Sequence, residues 1–395
     1  MKHLFSLIIL LIITSCNENN KVKKNIARKD SIDFKNESLF KINFNKLSNN
    51  YKKEKQKLVQ DFFNVHLNKN NDFNGSFLVA KNGQIIFEKY QGKSNFSTNQ
   101  LITQNTPLHL ASISKVLTAA AIFRLIDSKK INLEAEVLEI LPQFPYPIIT
   151  IKMLLNHRSG LPRYANFTDS EEIWGRKNVL HNNDILNVLE KNKFPLDFKP
   201  DTKFAYCNTN YAILALIIEK ITKMSYKDAM QNLVFKPLKM KNTFVFDLEK
   251  DTNRVSQSYK SKNVKIPFDQ LDAVYGDKNI YATPQDLLKF DMAMYSNNFI
   301  SNQLKNEIYK GYSYEKRGIK NYGLGIRLRE WETGQKIYYH NGWWHGNTTC
   351  YVTLRNDTVT LIALSNKYTR KVYQTMRASA IFGDYPFKLN SEENE

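Results

Sequence analysis

At 395 residues, with 42% hydrophobic and 12% aromatic side chains, the chain is long and apolar enough to bury a large core, which excludes a disordered or fibrous protein. A net charge of +19 arises from 57 Lys plus Arg scattered singly among asparagines; without a clustered patch or a recognition motif, the charge does not indicate nucleic-acid binding. It reflects compositional bias or a mild attraction to anionic surfaces such as lipid headgroups and cell-wall polymers.

Met1-Lys2-His3 gives a positive start, and residues 4–13 form an apolar run too short to span a bilayer. The run closes on Ile13-Thr14-Ser15-Cys16, which resembles the lipobox of bacterial lipoproteins. That resemblance implies that residues 1–16 are a signal peptide and that Cys16 is lipidated. The protein would then be held in the cell envelope by a lipid anchor on a bacterial membrane, periplasmic or surface-facing. Residues 17–52, rich in Lys, Asn, Ser and Glu, read as a polar tether, and 53–388 as the folded domain. Cys207 and Cys350 are the two other cysteines, so no disulfide framework is expected.

Helical spacing of Leu58, Phe62 and Leu67 predicts a helix over 53–67. Apolar runs at 76–80 and 84–90 flank Asn82-Gly83 and predict a hairpin. The middle of the chain, about 111–295, is mostly helical in pattern, with helices at 184–190, 210–223, 226–233 and 284–294. Further strands are expected at 322–331, 336–340, 348–354 and 358–364, and a closing helix at 369–381. Strands from both ends with helices between them give an α+β fold: an antiparallel sheet flanked by helices with an inserted, mostly helical region.

Within this frame, Ser112-Ile113-Ser114-Lys115 opens an apolar helix in which Leu117, Ala120, Ala121, Phe123, Leu125 and Ile126 continue an amphipathic pattern. Positions i and i+3 share a helix face, so Lys115 sits over the Ser112 hydroxyl. Ser38/Lys41 and Ser313/Lys316 have the same spacing but lie in polar surroundings. Two further elements follow in order, Tyr206-Cys207-Asn208 and His340-Asn341-Gly342. No metal motif is present, and His157, His340 and His345 lie far apart, so neither metal nor other cofactor is expected.

This ordered triple resembles the signature of the serine β-lactamase and penicillin-binding-protein family, nearest the branch of class C β-lactamases, D-Ala-D-Ala carboxypeptidases and esterases. Leu154-Leu155-Asn156-His157-Arg158-Ser159-Gly160-Leu161 and Asn279-Ile280-Tyr281-Ala282-Thr283-Pro284-Gln285-Asp286-Leu287 are similar to two further family motifs, and the resemblance spans about 58–387. It implies a β-lactamase/transpeptidase-like fold with Ser112 as nucleophile and either Lys115 or Tyr206 as base. Asn208 would hold Lys115 and a substrate carbonyl. His340, Asn341 and Gly342 would face the substrate, and the N–H groups of Ser112 and Trp343 would form the oxyanion hole. Trp343 and Trp344 would wall an acyl or leaving-group pocket.

The implied activity is amide or ester hydrolysis through an acyl-serine, on peptidoglycan-type D-amino-acid peptides or small esters. The alternative is a degenerate penicillin-binding or cell-wall-binding lipoprotein. Three departures from the family pattern stand out: His340 replaces a lysine, Cys207 replaces a serine, and the tract around Lys278 and Asn279 lacks the usual glycine. No class A deacylating Glu stands out. A histidine with a reference pKa of about 6.5 is mostly neutral at pH 7, so β-lactam acylation is expected to be weak and to improve toward pH 6.

Overall fold

The apolar segment that ends at Lys81 runs straight into Asn82-Gly83, and both turn residues adopt a left-handed backbone, with φ of 53° and 69°. A two-residue turn of that hand matches the twist of its flanking strands, so β1 (Gly75–Lys81) and β2 (Gln84–Gln91) close as the expected hairpin. The computed structural model describes residues 40 and 42–389. Cys16, the apolar run before it and most of the tether lie outside them.

The later strands are β3 (Lys320–Tyr322), β4 (Arg327–Glu330), β5 (Lys336–Trp344), β6 (Asn347–Leu354) and β7 (Val359–Ser365). They join the hairpin in one antiparallel sheet, ordered β3-β4-β5-β6-β7-β1-β2. Strands from both ends of the chain thus close a single sheet, as the α+β reading requires.

One face of the sheet packs on α1 (Asn49–Phe62) and on the helical segment Arg370–Ile381, around Val59, Phe63, Phe77, Val79, Val352, Leu361, Val372 and Met376. Helix α1 starts at Asn49 rather than at 53, because the Ser48 hydroxyl caps it by accepting from the Tyr51 N–H. It continues through a wider turn, Phe63–Leu67. The closing segment is wound as a tight 3₁₀ helix instead of an α-helix.

The other helices needed for the site are α2 (Ser114–Asp127), α3 (Asn182–Asn192), α4 (Asn208–Thr222) and α5 (Pro284–Ala293). Every residue of α2 from Ser114 to Phe123 is buried, which corrects the amphipathic reading. A helix apolar all round is enclosed all round.

The single strand expected over 322–331 is two strands, β3 and β4, joined by a reversal in which the Gly323 N–H donates to the Ile326 carbonyl at 2.8 Å. Gly325 has φ 78°, and a Cβ there would lie 2.4 Å from the Ala119 methyl, so only glycine lets this reversal rest on α2. Cys207 and Cys350 are buried free thiols.

Candidate active site

Ser112 sits in the 3₁₀ turn Ala111–Ile113 that leads into α2. The residue before it, Ala111, is held at φ 48°, uncommon for a side chain bearing a Cβ. The hold is visible in the hydrogen bonds: the Ala111 N–H donates to His109 Nδ1 at 2.9 Å, and His109 Nε2 donates to Asn279 Oδ1 at 3.0 Å. Burial pushes His109 down to about 4, so the ring is neutral.

The strand Ile280–Ala282 pairs with Leu108–His109, and the Ile280 N–H donates to Ser114 Oγ at 3.1 Å. Asn279 stands at φ 72° and donates its amide to the carbonyls of Asp272 and Val274. Asparagine tolerates the left-handed region, which accounts for the glycine missing from this tract.

The Ser112 turn presses on β5 at Gly342. A Cβ at 342 would lie 2.6 Å from the Leu110 carbonyl oxygen and 2.9 Å from the Ala111 methyl. Pairing of β4 with β5 ends at Arg327 and Tyr339, so the main chain from His340 to Trp344 has β6 on one side and a free strand edge on the other. An extended substrate can add to such an edge.

Lys115 is fully buried, with its Nζ 3.3 Å from Ser112 Oγ and 2.7 Å from the carbonyl of Asp277. The rings of Tyr206 and Tyr211 lie 5.1 and 5.6 Å from it. The amine thus takes the Asp277 carbonyl as acceptor, not Asn208, whose Oδ1 has no partner among the described residues. The Tyr206 hydroxyl is likewise buried and without a partner there.

The Tyr206 ring is gripped by His157 (centroids 4.4 Å apart) and faces the guanidinium of Arg327 at 4.7 Å. His157 Nδ1 accepts from the Cys207 N–H at 3.1 Å, and the ring is pushed well below the usual histidine range by burial and by Lys115 and Arg327. Cys207 turns its thiol to the Leu161 carbonyl at 3.3 Å, so it fills space and does not point at the nucleophile.

The third motif divides between the two faces of β5. Asn341 is paired with Cys350 and lies on the side of Ile337 and Tyr339, against the terminal helices. Its side chain is therefore not a substrate contact. His340 is on the Ser112 side, but it is fully buried; Nδ1 donates to the Asn341 carbonyl at 2.8 Å, and Nε2 accepts from the Tyr322 hydroxyl at 3.2 Å. It supports the site without facing the substrate. Burial, then Arg327 and Lys115, hold it well below the usual range, which overturns the expectation that it charges near pH 6.

Trp343 and Trp344 also point to opposite faces. Trp343 is 64% exposed and edges onto Tyr368, whereas Trp344 donates to Asp272 Oδ1 and lies under Lys278, so the two do not wall one pocket.

Sequence reasoning missed Arg327, Tyr322, Tyr164, Asp277 and Lys278. A charge inside an apolar strand pattern at Arg327 and an acid–base pair before Ile280-Tyr281-Ala282 were the available signals. The Arg327 guanidinium has neither an ion-pair nor a hydrogen-bond partner among the described residues; it lies over the rings of Tyr206 and Tyr322.

Three histidines, His109, His157 and His340, are buried and neutral. The unfolded chain binds their protons near pH 6.5 and the folded chain only well below it, so stability falls as pH drops from 7 to 5. His109 alone, with its folded value of about 4, removes about 2 kcal/mol by pH 5. Thermal melts at pH 7 and 5 check this; an unchanged midpoint contradicts it.

Residues 66–383 match the family model described as Beta-lactamase. Penicillin-binding protein 4* of Bacillus subtilis (strain 168) is 30% identical over 341 residues, covering 82% of this chain and 74% of that protein. Teichoic acid D-alanine hydrolase of Staphylococcus aureus (strain NCTC 8325 / PS 47) is 27% identical over 251 residues, 62% of this chain and 60% of that one. The crystal structure of a penicillin binding protein from Bacillus halodurans superposes with a TM-score of 0.70 at 19% identity, covering 82% of this chain and 98% of that one, which shows the shared fold. Matched over most of its length by the family model and by a relative at 30% identity, the chain belongs to the beta-lactamase family of serine hydrolases.

Proposed function

We propose that the protein is a lipid-anchored hydrolase of the cell envelope that cleaves an amide or ester next to a D-amino acid, through an acyl-Ser112 intermediate. The observation that carries the reading is the buried Lys115 amine, 3.3 Å from the Ser112 hydroxyl and without a carboxylate on it. The preference for D-amino acids takes support from the relative named as a teichoic acid D-alanine hydrolase and from kinship with penicillin-binding proteins.

In this reading Lys115 takes the Oγ proton as Ser112 attacks the carbonyl carbon. The C–O bond forms, and negative charge moves to the carbonyl oxygen, facing the N–H groups of Ser112 and Trp343. As the tetrahedral species collapses, the bond to the leaving amine or alcohol breaks and the proton passes to it, with Tyr206 as the carrier. A water, deprotonated by the same pair, then releases the acid and restores Ser112. Asn208 is the candidate donor to the substrate carbonyl. The unpaired guanidinium of Arg327, over Tyr206, is the candidate partner for a substrate carboxylate.

A fluorophosphonate probe should label Ser112, and Ser112→Ala should abolish the adduct by intact mass. Lys115→Ala and Tyr206→Phe should each slow labelling by about 10² or more, with the double variant barely worse than the slower single one. Labelling of wild type without turnover of any ester or D-alanyl peptide would identify a binding protein instead.

Arg327→Ala should raise KM for peptides ending in a free D-alanine carboxylate by about tenfold and leave a neutral ester within about twofold. Equal effects on both substrates would remove Arg327 from carboxylate binding.

Anchoring rests on the Ile13-Thr14-Ser15-Cys16 ending. No helix among the described residues is long and apolar enough to cross a membrane. Cys16→Ser should shift the protein from the membrane to the soluble fraction; an unchanged fractionation and a wild type lacking acyl mass would overturn the anchor.

A further inference from the structure

The carbonyl that holds Lys115 belongs to Asp277, whose own carboxylate is fully buried. One carboxylate oxygen, Oδ2, accepts from the Tyr164 hydroxyl at 2.8 Å, and the other lies 3.5 Å from Lys278 Nζ. Lys278 Nζ in turn donates to the Tyr164 oxygen at 2.7 Å, which closes a three-membered ring of contacts. The Lys278 side chain is 3% exposed, and its ammonium lies 4.6 Å from the ring centre of Trp344.

Lys278 therefore touches two parts of the site at once. Through Asp277 it bears on the acceptor of Lys115; through Trp344 it bears on the strand that carries Gly342 and Trp343. It directly precedes Asn279, the left-handed residue that holds the brace of the Ser112 turn.

We infer that Tyr164, Asp277 and Lys278 form a buried clamp that positions Lys115 beside Ser112, with Lys278 as the positioning residue whose charge balances Asp277. The inference rests on the reading of Ser112 and Lys115 as the reacting pair. The physical case is one of charge balance. A buried ion pair adds little net stability compared with apolar packing, so stability alone is a poor reason for it. Breaking one partner, however, leaves an unbalanced buried carboxylate on the residue whose carbonyl holds the Lys115 amine. An uncompensated carboxylate favours the ammonium form of a neighbouring lysine, and an ammonium cannot take the Ser112 proton.

The groups facing Lys115 are few. Tyr206 and Tyr211 present ring faces, Asp277 and Lys278 present the clamp, His157 and His340 are neutral, and Arg327 lies beyond Tyr206. Asp277 is the acid among them that Lys278 pairs; Lys278 also faces the charges of Asp272 and Asp269, which the single and the double variant alike leave in place.

The test is the pH dependence of Ser112 phosphonylation by a fluorophosphonate, in which the O–P bond forms and fluoride leaves. In Lys278→Met the acidic limb of the rate should move upward by about one pH unit, so that the rate on that limb falls about tenfold. Lys278→Arg should retain most of the wild-type profile. The double variant Asp277→Asn/Lys278→Met removes both charges and should bring the limb back to the wild-type position. That recovery is the readout that a packing role would not produce.

An unmoved limb in Lys278→Met, or a double variant displaced as far as the single, would overturn the clamp. If Lys278→Met does not fold, Asp277→Asn carries the test: it leaves the Lys278 charge unbalanced, so the acidic limb should move downward, and an unmoved limb overturns the clamp. Absence of any Ser112 adduct in the wild type would overturn the hydrolase reading together with the clamp, whereas wild-type labelling with an unmoved limb overturns the clamp alone.

Discussion

The burial of the Lys115 amine is the constraint around which the rest of the site is arranged. A lysine withdrawn from water costs several kcal/mol unless its donors are met. Here they are met by one hydroxyl and one main-chain carbonyl, with the rings of Tyr206 and Tyr211 to either side and no carboxylate in direct contact. The amine and its partners come from three segments. The helix α2 brings the lysine, α4 and the turn before it bring the two tyrosines, and the tract before Ile280 brings the carbonyl. A site of this kind forms only when the whole domain has folded, because no single segment satisfies the amine by itself.

Neutral histidine is the second recurring device. His109 braces the strained Ala111, His157 braces Tyr206 and the start of α4, and His340 braces the junction of β5 with Tyr322. In each case a ring nitrogen reaches a main-chain N–H or carbonyl, which fixes the tautomer. Imidazole suits this task beside Lys115, Lys278 and Arg327 because it supplies polar contacts without adding charge. A lysine at any of the three positions would bring another ammonium into a region already rich in cations.

The ordered motifs were legible in the sequence because they are local patterns: Ser112 and Lys115 share a helix face, and Asn82-Gly83 specifies its own turn. The sheet was legible as well, since its strands alternate or run apolar between turn residues. Side-chain direction in the third motif was not. His340, Asn341 and Gly342 read as one unit, but a strand sends neighbouring side chains to opposite faces, and only the pairing of Asn341 with Cys350 reveals which face is which. Lys278 and Arg327 were hidden for another reason. In a chain with 57 Lys plus Arg, a single cation carries no signal until its neighbours in space are known. The reversal at Gly323 and Gly325 was masked because the flanking residues keep a strand-like composition.

These placements bear on what the site recognises. Where the family's β-lactamases carry a lysine on the strand beside the nucleophile, this chain carries a buried, neutral His340, so positive charge at that spot is gone. A cation is nevertheless present at the site. Arg327, paired in register with Tyr339 on the next strand, lies over the ring of Tyr206 with its guanidinium unpaired. On the proposed reading, the positive charge offered to substrate sits on the strand next to the one that would bind the substrate backbone. A guanidinium offers a planar fork for a carboxylate, where an ammonium is a point charge. The rigid bicyclic carboxylate of a penicillin and the mobile end of a D-amino-acid peptide do not present their charge in one place. On that reading, a cation on β4 rather than on β5 would suit a flexible acyl donor better than a rigid β-lactam.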